Sequence, residues 1–218
     1  MEIAKIVARY PKIYHMAEAD TWPSIRRHGL LSATAVLDHA QLSGAHRISL
    51  ESVQRPEKTT VNTIDVGAIV LRDQKPMEEK RLIMALQDGI TPRQWYERIN
   101  SKVFFWVQEH RLHGLLSAAA YADLEHDVLT LDTASLLRVH HDDVWLCHMN
   151  SGNTFPIPHH RGATTFQRIP DYPTTATGRP QKEVVELTVD YQVADIARHV
   201  VEVRRMKGPD VLRALPLK

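Results

Sequence analysis

The 218 residues carry 27 lysines and arginines against 26 aspartates and glutamates, so the net charge is +1 and bulk charge is excluded as a drive toward nucleic acid or membrane. Hydrophobic content of 43% with 24% charged residues excludes disorder, and a chain of this length closes one sizeable core, which predicts a single domain over residues 1–218. The lone cysteine, Cys147, excludes an internal disulfide; with no membrane-length apolar run and no signal-type start at Met1–Tyr10, a cytoplasmic location without membrane contact is expected.

In chain order, Ile13-Tyr14-His15-Met16 reads as a short extended stretch. Asp20 or Thr21 is placed to cap a helix with Pro23 at its second helical position and Gly29 at its end. Thr34 to Leu42 reads as another short helix, and Ser43 to Thr63 as a long loop with one extended piece. Val66 to Leu71 is a continuous apolar run bounded by polar residues, the pattern of a buried strand. Met77 to Gln87 is expected to be helical, and Thr91-Pro92 opens a further helix carrying Trp95, Tyr96 and Ile99 on one stripe. Val103 to Val107 is the most strand-like run and reads as a central strand. Helix returns from about Arg111 to Leu124, then strands at Val128 to Leu131 and Val144 to Cys147, with a helical turn at Thr133 to Leu137 between them. Met149 to Lys182 is rich in Pro, Gly, Thr and His without a sustained period, and loops of that length usually carry function or move. Strands at Val184 to Val189 and Val200 to Val203, separated by a turn of helix near Ala194 to Ala197, complete an α+β order.

Thirteen histidines invite a metal centre, with His140-His141-Asp142-Asp143 and His159-His160 the densest groups. Adjacent residues on a strand point to opposite faces, no His-Glu-x-x-His occurs, and one cysteine builds no thiolate zinc site, so no metal is expected. There is no Gly-x-Ser-x-Gly elbow, and Cys147 ends an apolar run as a buried inert thiol does. The absence of a Walker loop and of Gly-x-Gly-x-x-Gly leaves nucleotide chemistry of a non-Rossmann kind.

Three pieces gain meaning only together: Ile13 to Ile25 followed by Gly29-Leu30-Leu31-Ser32, the aromatic Val103-Phe104-Phe105-Trp106, and Glu183 to Val193. Taken singly, each has a plain reading. Glu186 between Val185 and Leu187 fits a solvated strand residue, His15 a core histidine, Arg55 before Pro56 a solvated loop arginine, and the aromatic run simple core. As an ordered series they resemble the ADP-ribosyltransferase fold, and within it the DarT-type enzymes that modify DNA bases. In that family an extended segment leads to Asp-Asn, a hydrophobic residue, Pro and a helix ending in Gly-Leu, which Asp20-Thr21-Trp22-Pro23 and Gly29-Leu30 resemble. An extended piece then leads to an essential arginine, as Ser49 to Arg55 does here. The family's catalytic glutamate begins a Glu-x-x-Val-x-x-x-Val pattern, matched by Glu186, Val189 and Val193. Thr21 departs from the asparagine of the DNA-modifying members, and Glu18 stands where they often carry histidine.

The resemblance implies a split central β-sheet flanked by helices, NAD as co-substrate, and transfer of ADP-ribose to an acceptor, with a DNA base favoured over RNA or protein. It implies Glu186 and Arg55 as catalytic residues, and Tyr14, His15, Thr21, Ser32 and Phe105 around NAD. A carboxylate suits this chemistry because breaking the nicotinamide–ribose bond develops oxocarbenium character. Arg55 would pair with pyrophosphate as a planar fork, His15 would bond a ribose hydroxyl, and Phe105 or Trp106 would stack on nicotinamide. His159, His160 and Arg161 in the long loop are placed to meet a nucleic-acid backbone. NAD hydrolysis, as in a glycohydrolase toxin, and a catalytically silent nucleotide-binding domain are the rival readings, and an antitoxin or hydrolase partner would accompany a toxin.

Overall fold

The computed structural model describes residues 1–218. The chain opens with α1 (Ile3–Arg9) and β1 (Lys12–Glu18), then α2 (Trp22–His28), β2 (Leu30–Leu31), α3 (Ala33–His39), α4 (Gly44–Glu51) and a hairpin of β3 (Thr59–Asn62) and β4 (Ala68–Leu71). Helices α5 (Glu79–Ala85) and α6 (Pro92–Asn100) lead into β5 (Lys102–Trp106), α7 (Glu109–Leu116), β6 (Glu125–Asp132), α8 (Thr133–His140) and β7 (Val144–Cys147). After a long loop holding β8 (Phe166–Arg168) come β9 (Glu186–Asp190), β10 (Gln192–Val193), a 3₁₀ turn at Ile196–Arg198, β11 (Val200–Lys207) and β12 (Asp210–Ala214). The architecture is α+β, and no helix is long and apolar enough to cross a membrane.

One antiparallel sheet has the strand order β12-β11-β6-β1-β5-β9-β7-β8. Its pairing is uneven. β1 runs beside β6 from Lys12↔Asp132 to Glu18↔His126, and β5 beside β9 from Lys102↔Asp190 to Trp106↔Glu186, but β1 and β5 share the single pair Tyr14↔Trp106. The sheet is therefore two four-stranded halves joined at one point. Residues from both halves, among them Ile13, Phe105, Leu129 and Leu187, are packed in one cluster with Ile6 of α1 and Leu136 of α8. Each such buried side chain contributes roughly 1.5–3 kcal/mol by leaving water, which is what holds the halves together where backbone bonds are few.

Local chemistry explains the elements. Thr91 and Gln94 form a reciprocal capping box at the start of α6, with Pro92 in the first turn, and the helix buries Trp95, Tyr96 and Ile99 as its periodicity requires. α2 ends at Gly29, whose φ of 89° is open to glycine. Its start differs from expectation. Asp20 takes a left-handed backbone and its carboxylate goes to Arg205, while the Thr21 hydroxyl donates to the Glu18 carbonyl at 2.6 Å. The Trp22 amide donates instead to the Asp127 carboxylate of β6, at 3.0 Å.

Ser43 to Thr63 is not a loop: it holds α4, whose one buried side chain is Leu50 and which is laced by an Arg47–Glu51 pair at 2.7 Å, and β3. So little burial leaves little periodicity to read. Val66 to Leu71 is not a core strand either, because β4 pairs only with β3 and leaves Ala68 and Val70 exposed. The helix expected to reach Leu124 stops at Leu116, and the turns beyond it bury Tyr121.

Candidate active site

Beside the Tyr14–Trp106 junction lies a cavity of about 560 Å³, lined by residues of β1 and β5 together with Arg55, Arg72, Ser151 and Glu186. A smaller one of about 250 Å³ adjoins it over the β3–β4 hairpin, and His15, Arg55 and Arg72 line both. Together they form a cleft of the size that holds a small-molecule ligand.

Glu186 opens β9 directly across from Trp106 on one side and Cys147 on the other. Its side chain is buried, and the Ser151 amide donates to both carboxylate oxygens at 3.3 and 3.2 Å. Burial pushes its pKa from 4.5 up to about 7, opposed by the Ser151 bonds and the charge of Arg161. A carboxylate poised there exchanges its proton near neutrality, as general acid–base work requires. The Cys147 thiol beside it is buried, donates to the Met149 carbonyl at 3.2 Å and is pushed well up by burial, so it is inert.

Ser151 is held by an arginine that sequence reasoning put on the surface. Arg161 is 1% exposed, and its guanidinium donates to the carbonyls of Ser151, Asn153 and His159 at 2.9, 2.8 and 3.1 Å. It is a positioning residue for the loop that meets Glu186. His159 and His160 do stand exposed. Glu183 lies before β9 on the surface, where it pairs with Arg9 at 3.4 Å and Arg111 at 3.7 Å.

His15 Nδ1 lies 2.8 Å from the Phe104 carbonyl, which can only accept, so Nδ1 carries the proton and Nε2 presents a lone pair. Burial lowers the imidazole pKa to about 4, keeping it neutral. A neutral ring with a free acceptor nitrogen suits a hydrogen-bond donor such as a hydroxyl. Ser32 lines the larger cavity while its Oγ accepts from the Ala35 amide at 3.1 Å as the cap of α3, and Thr21 lines the smaller one.

Three expectations need correction. Tyr14 lines neither cavity; its side chain is taken up in packing with Leu112, Leu116 and Val128. Phe105 does line the larger cavity, but at 1% exposed it belongs to the main core and meets His15 edge-on at 5.8 Å, so it backs the histidine rather than standing in the cleft. Half-buried Trp106, on the Glu186 face, is the aromatic available to a ligand. Arg55 lines the cleft, but its guanidinium already donates to the carbonyls of Leu50 and Arg72 and to Asn100 Oδ1. Burial lowers its pKa to about 10. It braces the wall, and its fork is not free for a bidentate anion.

Arg72, which sequence reasoning missed, is free. It is half-buried between the two cavities, lies 4.8 Å from the centroid of the Tyr121 ring, and its one side-chain polar contact is Met16 Sδ at 3.8 Å. Burial lowers its pKa. A desolvated guanidinium without a carboxylate is costly until an anion pairs with it. The one sequence signal was an arginine at the exit of an apolar run.

No curated protein and no solved structure matches the chain. A family model described as a family of unknown function (DUF7002) matches residues 11–200, a span that includes every cleft residue described above, and the chain belongs to that family.

Proposed function

We propose that the cleft binds NAD⁺ and transfers its ADP-ribose to an acceptor, for which a nucleic-acid base, DNA before RNA, is the leading class. The observation that carries this is the convergence in one cavity of Glu186, His15 and Arg72, brought from distant parts of the chain. They supply a buried carboxylate, a neutral hydrogen-bond acceptor and an unpaired cation, the groups that a ribose, a pyrophosphate and a developing oxocarbenium call for. The sheet split at Tyr14–Trp106 supports the same reading, since the resemblance implies a split central sheet.

In this mechanism Arg72 pairs with pyrophosphate, His15 Nε2 accepts from a ribose hydroxyl and Trp106 covers the nicotinamide ring. The C1′–N bond breaks and its electron pair leaves with nicotinamide. Glu186 stabilises the cation at C1′, and the acceptor's lone pair forms the new bond while its proton passes to the carboxylate or to water. Exposed His159 and His160, on the loop whose Ser151 touches Glu186, lie on the acceptor side.

The test is incubation with NAD⁺ labelled in its adenylate, with no acceptor, with DNA or with RNA. Label in nucleic acid, absent with Glu186→Gln, is expected. Free ADP-ribose formed equally without acceptor would identify a hydrolase, and unconsumed NAD⁺ would remove the proposal.

A further inference from the structure

Outside the cleft, where α8 ends against the 3₁₀ turn, three side chains converge from two segments far apart in sequence, His140 on one and Asp195 and His199 on the other. His140 Nε2 lies 2.7 Å and His199 Nε2 3.2 Å from the same atom, Asp195 Oδ1, and the three groups offer ligand atoms all within 4.8 Å of one another. His199 is 2% exposed, and its Nε2, although 3.2 Å from Asp195 Oδ1, makes no aligned hydrogen bond there or to any other group. Its other nitrogen, Nδ1, lies 2.8 Å from Ser135 Oγ. Asp195 stands at the N-cap of the 3₁₀ turn but its carboxylate caps nothing there. A lone pair or N–H left orphaned inside a protein costs about 1–3 kcal/mol unless something meets it.

We propose that His140, Asp195 and His199 form a binding site for a borderline divalent cation, with zinc the best match. Two imidazoles and one carboxylate are a nitrogen-rich set that suits zinc and disfavours calcium and magnesium, which prefer oxygen ligands. Zinc bonds of about 2.0–2.1 Å in a tetrahedron set ligand atoms roughly 3.3 Å apart, so the cluster needs only a small adjustment to accept the ion. With zinc on Nε2, the Nδ1–H of His199 donates to Ser135 Oγ, 2.8 Å away, which fixes the ring. The side chains of His140 and Asp195 are 14% and 24% exposed, so solvent reaches the fourth position.

None of the three lines the cleft, and the site stands whatever the cleft binds. The ion ties α8 to the turn after β10. A Cβ placed on Gly29 would lie 2.8 Å from Ala194 Cα, so that turn in turn braces the end of α2. Asp195 and His199 stand four residues apart, but His140 lies 55 positions from Asp195, so short ligand spacings alone do not assemble the three.

The test uses the untagged full chain, dialysed against chelator and titrated with Zn²⁺ by calorimetry, with Tm measured alongside. One zinc per chain is expected, with Tm raised by about 5–10 °C at a hundredfold excess over Kd. Asp195→Asn and His140→Gln, both at partly exposed positions, should each weaken binding at least tenfold and cut the Tm shift to about half or less at the same zinc concentration, while circular dichroism shows the fold retained. The double variant His159→Gln, His160→Gln should bind as wild type. Failure of the wild-type chain to bind zinc, unchanged binding in both site variants, or an equal response to Mg²⁺ would overturn the assignment.

Discussion

Glu186 is at odds with its surroundings, and that conflict can be measured without any substrate. Burial raises its pKa from 4.5 to about 7, so the folded state holds a proton that the unfolded chain releases. Its contribution to stability is therefore lost as pH rises from roughly 4.5 to 7, then stays flat, and it amounts to at most about 3 kcal/mol. Glu186→Gln should raise Tm at pH 8 and leave it nearly unchanged at pH 4, while turnover falls on the order of 10²–10³-fold. In the proposed reaction, turnover of the wild-type chain should climb with pH through about 7 as the carboxylate forms, read from initial rates across that range. Arg72→Gln should weaken NAD⁺ about 10- to 150-fold by calorimetry in the Glu186→Gln background, the value of a charged hydrogen bond. Arg55→Lys should act first on Tm, because its partners are protein carbonyls and Asn100. That His15 and Glu186 would stand at one cleft was expected from the ordered resemblance of the β1 and β9 segments, since each residue's own surroundings read as ordinary strand. Arg72 was not, since its importance comes from the partner it lacks, which only packing reveals.

At the level of elements, α2 shows which parts of a helix a sequence announces. Pro23 and Gly29 mark its extent, but its start is capped from Asp127, whose carboxylate also receives the Arg205 guanidinium at 2.8 Å. Arg205 binds Glu125 and Asp20 as well, at 3.0 and 2.6 Å. Replacing it by leucine would leave Asp127, 0% exposed, as an unmatched buried charge. Such a break costs about 3–5 kcal/mol, expected as a lower urea midpoint at unchanged slope. Long-range caps leave no local signature, and α4 was missed for the related reason that surface ion pairs, not an apolar face, hold it. α6 was read correctly because every signal for it, capping box and stripe alike, lies within its own few turns.

Across the whole molecule, the chain alternates between the two half-sheets: β1 in one, β5 in the other, β6 back in the first, β7 and β9 in the second, then β11. Neither half is a continuous stretch of sequence. Cutting the chain between the halves therefore yields no fragment that folds, and refolding from urea should show relaxation times of roughly milliseconds to seconds, as pairings distant in sequence require. The α+β class was legible from the order of runs, whereas a divided sheet was expected only from the resemblance, because where the sheet divides depends on how far β1 and β5 stay in register.

The lone Tyr14–Trp106 pair also has a mechanical meaning. Elsewhere in the sheet, prying two strands apart breaks a ladder; here it breaks one rung, so the junction is the compliant line of an otherwise stiff plate. Breathing along it would widen or narrow the adjoining cavity while costing few main-chain bonds. Amides at the junction should exchange with deuterium sooner than those of the β6–β11 ladder, and a ligand bridging His15 and Glu186 should slow them by clamping the two plates together.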